Sequence, residues 1–227
     1  MNNIIIAIDG PSGSGKSTTA REVAKKLGYI YIDTGAMYRA TALAFKRENL
    51  ELKDEDFIKL MSKINITLEN TVKGQRTYLN DEDVSDLIRT PEITKLVSPV
   101  SANAIVREKL VEMQRELGKN GAVVMDGRDI GTVVFPNAQL KIFMVATPDA
   151  RARRRTLEMR NAGMEADEQE IKRLLIERDE YDTNREISPL RKAGGAIEID
   201  TSNITIEEQT DKIYNLALHY INEVNRL

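Results

Sequence analysis

The first clear pattern along the chain is a run of apolar, mostly β-branched residues at 4–8 that breaks at Gly10. A buried parallel strand entering a loop reads this way. Apolar residues then recur at helical spacing, Ala20, Val23, Ala24 and Leu27, until Gly28 stops the stripe. A second apolar run at 29–32 passes through Asp33-Thr34-Gly35 into a helical pattern over about 36–47. Strand, helix, strand, helix predicts a parallel sheet with right-handed crossovers.

The middle changes period. Between about 64 and 84 the pattern alternates, as in Ile64-Asn65-Ile66-Thr67-Leu68 and Thr77-Tyr78-Leu79, around a turn at Lys73-Gly74-Gln75. This predicts a small antiparallel sheet inserted into the parallel one. A helix over about 100–117, closed by Gly118 and Gly121, leads back to a strand at 122–125 that ends on Asp126. Another strand follows at 140–145, then charged helices at 150–160 and 167–184 and a short strand at 196–199. Thr205 and Glu208 have the spacing of a capping box and open the terminal helix.

At 227 residues the chain holds one substantial core with room for a small insertion, so residues 1–227 are expected to form a single domain. The formal charge of −3 gives no global reason to bind nucleic acid or an anionic membrane, so any anion site must come from local arginine placement. There is no cysteine and only one histidine, His219, which excludes disulfides, thiolate metal sites and a multi-histidine metal site. No apolar run near the start is long enough for a signal-peptide core or a membrane span. A monomeric, cytoplasmic protein is the expectation.

Between the first strand and first helix stands Gly10-Pro11-Ser12-Gly13-Ser14-Gly15-Lys16-Ser17, followed by Thr18, which meets G-x-x-x-x-G-K-[ST]. Glycines let the backbone wrap an anion with its N–H groups inward, and the helix beginning near Lys16 aims its positive end at the same place. Lys16 is placed for the β and γ phosphates of a nucleoside triphosphate, and the Ser17 hydroxyl for Mg²⁺. A plain Gly/Ser turn would need neither lysine nor hydroxyl there.

Such a loop names the donor and leaves the acceptor open. No N-K-x-D segment for reading guanine occurs, and Asp126 is followed by Gly127-Arg128-Asp129 rather than by a second acid. Arg39 and Arg128 both lie at strand exits, which in an open parallel sheet face the ligand crevice. Joining two phosphates sets unit charges at about 4 Å, each pair repelling by roughly 4 kcal/mol at an effective dielectric of 20. Arginines and a metal ion must offset that, whereas an ionised acceptor phosphate needs no general base.

The segments IAIDGPSGSGKST, YIDTGAMYRA, MDGRDIGTVVFPNA, KIFMVATPDARARRR, RDEYDTNREISPL and IDTS occur in this order and resemble the bacterial cytidylate kinases over nearly the whole chain. DGRDIGTVVFP and SPL are the most discriminating, since the phosphate loop is widely shared. The resemblance implies an α/β P-loop kinase fold: a central parallel sheet flanked by helices, an antiparallel insertion in a monophosphate-binding region of about 36–100, and a short helical lid near 151–167. It implies γ-phosphate transfer from ATP to CMP or dCMP. Thr34, Arg39, Arg128 and Arg185, with Arg178 nearby, would surround the acceptor phosphate, and Asp182 would hold the ribose hydroxyls. Asp129, Arg107 and Ser98 would read cytosine, whose exocyclic amine calls for an acceptor. Arg151, Arg153, Arg154, Arg155 and Arg160 form a charge run that alone reads as a solvated face. The resemblance makes Arg154 first, and Arg155 second, lid arginines that stabilise the transferring group. A kinase for another small molecule such as UMP, and a nucleotide-binding regulator, are the alternatives.

Overall fold

The computed structural model describes residues 3–72, 74–161 and 163–226. In chain order its elements are β1 (Ile5–Asp9), α1 (Lys16–Leu27), β2 (Ile30–Asp33), α2 (Thr34–Arg47), α3 (Asp54–Lys63), β3 (Ile66–Thr71), β4 (Gly74–Leu79) and β5 (Glu82–Asp83). Next come α4 (Pro91–Ala102), α5 (Ala104–Gly118), β6 (Val123–Gly127), β7 (Leu140–Val145), α6 (Pro148–Asn161), α7 (Glu168–Asn184), β8 (Ile197–Asp200) and α8 (Ile206–Val224). A single 3-10 turn, Leu87–Arg89, precedes α4, and a π-turn, Ile130–Val134, follows β6.

Five strands form a parallel sheet in the order β2-β6-β1-β7-β8. Both faces of β1 are apolar because both are covered: Ile4, Ile6 and Ile8 pack with Val23 of α1 and Ile213 of α8, while Ala7 faces Val111 of α5. All five carboxyl ends point to one edge, where the chain places Asp9, Asp33 and Gly127. The antiparallel sheet β3-β4-β5 falls at 66–83, with β3 and β4 in register from Ile66↔Leu79 to Thr71↔Gly74. Lys73 of its turn lies outside the described residues, as does Ala162 in the segment expected to form the lid.

The terminal helix has both halves of its capping box, with Thr205 accepting from the Glu208 N–H and the Glu208 side chain accepting from the Thr205 N–H. The single helix expected over 100–117 is two. Asn103 is extended and caps α5 by accepting from Ile105 and Val106, while α4 begins earlier, with Thr90 as its cap and Pro91 at its first position. Pro99 sits inside α4. Helix α3 was not foreseen, although Asp54, Glu55 and Asp56 in its first turn and buried Phe57, Leu60 and Met61 at helical spacing are its signature.

A second core gathers α2 to α5 and the small sheet, and in it Phe57 stacks on Phe45 with ring centroids 5.2 Å apart. Replacing Phe57 by Ala is expected to lower the unfolding free energy by ~3–5 kcal/mol in urea titrations, the usual cost of emptying a buried aromatic site. A loss below ~1 kcal/mol would mean that α3 contributes little to this core.

Candidate active site

The phosphate loop takes shape from steric limits. Gly10 has φ +149°, and a Cβ there would lie 2.1 Å from the Met144 carbonyl oxygen of the neighbouring strand, so no other residue fits. Gly15 caps α1 at φ +91°, with no side chain bonded to the helix end, which leaves the first-turn N–H groups for an anion. Lys16 is buried and folds back, its Nζ donating to the Pro11 carbonyl at 2.7 Å. Burial first, and then the Arg128 charge, push its pKa down to about 7.

The carboxyl end of β6 supplies Asp126, which accepts from Ser17 Oγ at 2.8 Å and the Tyr31 hydroxyl at 2.9 Å. Burial raises its pKa to about 6, with the neighbouring Asp33 adding to the rise. A buried carboxylate beside a hydroxyl is a hard-oxygen donor pair that suits Mg²⁺, and the ion's charge would offset the cost of burial. Asp9 works differently: its carboxylate accepts from the Ile130 and Gly131 N–H groups at 2.8 and 2.7 Å. It thereby fixes the π-turn beyond Arg128 and Asp129, and burial raises its pKa to about 7.

Opposite the loop, four elements bring cations together. Arg39 comes from α2, Arg128 from the end of β6, Arg178 from α7 and Arg185 from just beyond α7. With Lys16, Ser17 and Thr34 they line one cleft of about 160 Å³. Burial and then the Arg178 charge lower Arg39 to about 9, and burial and then the Arg128 charge lower Arg178 to about 10. Asp182 offsets part of the excess: it lies 2.9 Å from Arg128 Nε and 4.0 Å from Arg178 Nε. Depressed cations held in a buried cleft indicate a site suited to a polyanion.

At the far end Arg107 of α5 pairs with Asp129, and Arg185 approaches the same carboxylate at 3.9 Å. Arg107 is not a helix-surface residue: it lies on the buried face of α5 with Val106 and Leu110, 3% exposed, over the ring of Tyr38. Ser98 does not line the cleft; Ser101, one turn on, does, and its hydroxyl donates to the Ser98 carbonyl. Gly10, Pro11, Ser14, Gly15 and Thr18 frame the loop behind the cleft rather than lining it, whereas Ser12 and Gly13 line it.

The arginines expected in the lid divide. Arg154 turns away, donating to the Thr201 hydroxyl at 3.2 Å and to the Thr201 carbonyl, and that hydroxyl in turn donates to Ser14 O at 2.9 Å. Arg155 pairs with Glu158 at 3.1 Å, yet its charge acts on Arg39 and Arg178. Arg151, read as one of a charge run, is buried against the loop, bonding Ser12 O at 3.0 Å and Asp179 at 2.5 Å. Its apolar neighbours Ala150 and Ala152 were the available signal.

A family model described as cytidylate kinase matches residues 6–219. The chain belongs to the cytidylate kinase family. It is 51% identical to a cytidylate kinase of Carboxydothermus hydrogenoformans, over 93% of this chain and 96% of that one. It is 48% identical to one from a Geobacillus species, over 95% and 97%, and 46% identical to one from Bacillus anthracis, over 95% and 96%. A solved structure of an uncharacterised Eubacterium ventriosum protein is 15% identical, covers 94% of this chain and 97% of its own, and has a TM-score of 0.53, which speaks to fold alone. Among the described residues no helix is long and apolar enough to cross a membrane.

The depressed Lys16 carries a signed consequence for this family member. At pH 8 an amine with a pKa of about 7 is mostly neutral, and phosphates return it to the charged form. ATP binding at pH 8 is therefore expected to take up close to one proton, and at pH 6 much less, because Lys16 is already protonated. Calorimetry in buffers of differing ionisation enthalpy reads the uptake directly, and no buffer dependence at pH 8 would refute it.

Proposed function

We propose that the chain transfers the γ-phosphoryl group of ATP to CMP or dCMP, giving ADP and CDP or dCDP. The observation that carries this is the single cleft in which Lys16 and the loop face Arg39, Arg128, Arg178 and Arg185. A mechanism follows from charge alone. An oxygen of the acceptor phosphate attacks the γ phosphorus, a new P–O bond forms, and the bond to the departing ADP oxygen breaks. The attacking oxygen is already ionised, so catalysis is positioning and neutralisation.

Lys16 and the loop N–H groups hold the donor phosphates, and Lys16 leaves the Pro11 carbonyl to do so. Arg39, Arg128 and Arg178 take the acceptor phosphate, with Thr34 beside them, and Asp182 takes the ribose hydroxyls. Ser17 and Asp126 would hold Mg²⁺, which supplies charge neutralisation between phosphate oxygens when bound. Arg155, held only by the exposed Glu158, is the arginine freer to swing over the cleft, ahead of Arg154, which is tied to Thr201. Asp129 accepts from the cytosine amine, oriented by Arg107 and Arg185; uracil would put a carbonyl against that carboxylate.

ADP release measured with CMP, dCMP, UMP and AMP as acceptors is expected to be fastest with a cytidine nucleotide. Equal turnover with AMP or shikimate and none with CMP would overturn the reading, and nucleotide binding without any acceptor-dependent turnover would point to a regulator instead. Asp129→Asn is expected to reduce the preference for CMP over UMP by at least ~10-fold in kcat/KM, the scale of one buried charged hydrogen bond. Unchanged preference would remove Asp129 from base reading.

A further inference from the structure

The core sheet ends at β2, since β6 is the only strand paired with it in the five-stranded order. An edge strand leaves outward N–H and C=O groups that need partners. Here two side chains from the antiparallel insertion take them. Gln75 Nε2 donates to the Tyr31 carbonyl at 2.5 Å, and its Oε1 accepts from the Asp33 N–H at 3.0 Å. In a parallel ladder one residue of a neighbouring strand bonds the C=O of i−1 and the N–H of i+1. With Ile32 as i, the amide of Gln75 fills that place and supplies the donor and acceptor that one residue of a sixth strand would. Asn70, the cross-strand partner of Gln75, completes the unit: its Nδ2 also donates to Tyr31 O at 3.2 Å, and its Oδ1 accepts from Gln75 Nε2 at 3.1 Å.

The two gripped residues are tied directly to the cleft. Tyr31 bonds Asp126 through its hydroxyl. Asp33 caps α2 by accepting from the Ala36 N–H at 3.0 Å, and Arg89, just beyond the insertion, reaches its other oxygen at 3.3 Å. Thr34 follows immediately and donates to the Asp126 carbonyl at 2.7 Å, and α2 then carries Tyr38 and Arg39 into the cleft. Asp33 is thus held at its main chain by Gln75 of the insertion and at its carboxylate by Arg89, which follows the insertion.

We propose that the Gln75–Asn70 amide pair is a surrogate strand that sets the register of the insertion against β2 and so positions Thr34 and Arg39 for the acceptor phosphate. Gln75 is a positioning residue, lying outside the cleft and acting through the β2–α2 junction. This rests on the reading above that Thr34 and Arg39 receive the acceptor.

Gln75→Leu keeps the bulk and removes both bonds to β2 from a half-buried position. Amide exchange at Asp33, followed by NMR, is expected to quicken ~10-fold, and KM for CMP to rise ~3- to 10-fold, the factor carried by one or two hydrogen bonds of ordinary net strength. KM for ATP should move less than ~2-fold, since the loop is held by other elements. Gln75→Glu keeps the acceptor for Asp33 and loses the donor to Tyr31, so it should preserve the slow Asp33 exchange while still raising KM for CMP. Unchanged Asp33 exchange in Gln75→Leu overturns the proposal, as does an equal rise in both KM values with a lower Tm, the mark of a general brace. Absence of CMP turnover in the unsubstituted chain would fail the functional reading instead, and the exchange data would then decide the surrogate strand alone.

Discussion

Lys16, Arg39, Arg128 and Arg178 share one buried cleft, and holding them there against mutual repulsion is the constraint on which the rest of the structure depends. Unit charges about 4 Å apart repel by roughly 4 kcal/mol at an effective dielectric of 20, and burial removes the water that would screen them. No single element could carry all four. They come instead from α1, α2, the end of β6 and α7, whose own packing makes each position costly to relax. Asp182 and Asp126 offset part of the charge, and the depressed Lys16, Arg39 and Arg178 record what is left. The arginines are held in place before a polyanion arrives, which lowers the reorganisation that binding requires, whereas Lys16 has to leave the Pro11 carbonyl.

Holding that arrangement falls to groups that touch no phosphate. The absence of a side chain at Gly10 lets the loop pass against Met144, and Gly127 does the same for Arg128, since a Cβ there would meet Thr34 Oγ1 at 2.7 Å. Asp9 fixes the turn after Asp129 from the neighbouring strand. Arg151 and Thr201 each hold a carbonyl of the phosphate loop, at Ser12 and Ser14. The donor side is therefore braced by short contacts within the parallel sheet and its flanking helices. The acceptor side is carried on α2 and joined to the insertion at the β2 edge.

What the sequence made legible follows the same division. The phosphate loop is local, its eight residues contiguous, and its chemistry can be read without knowing the fold. Arg39 and Arg128 are legible one step further, because strand exits in a parallel sheet share an edge. Arg107 is not: in a helix of mixed character only the packing of Val106 and Leu110 shows which face is buried. The Asp9 contact with Ile130 and Gly131 joins residues more than a hundred positions apart, and Gln75 reaches a backbone rather than a side chain, so neither leaves a local pattern. Helices α3 and α4 had usable start signals, Asp54 to Asp56 and Thr90-Pro91, and α4 carries Pro99 within it.

The two ends of the cleft neutralise charge by different means. The end proposed for the acceptor has its own arginines, more than Asp182 can match. The donor end is mixed: Lys16 stands beside Asp126, whose buried carboxylate would repel a triphosphate. A carboxylate in that place is useful only if a cation lies between it and the phosphates, and the Ser17 hydroxyl at 2.8 Å is the second oxygen such an ion needs. On the proposed reading, the acid at the end of β6 would tie donor binding to a divalent ion, while the arginines across the cleft would take an anion without one.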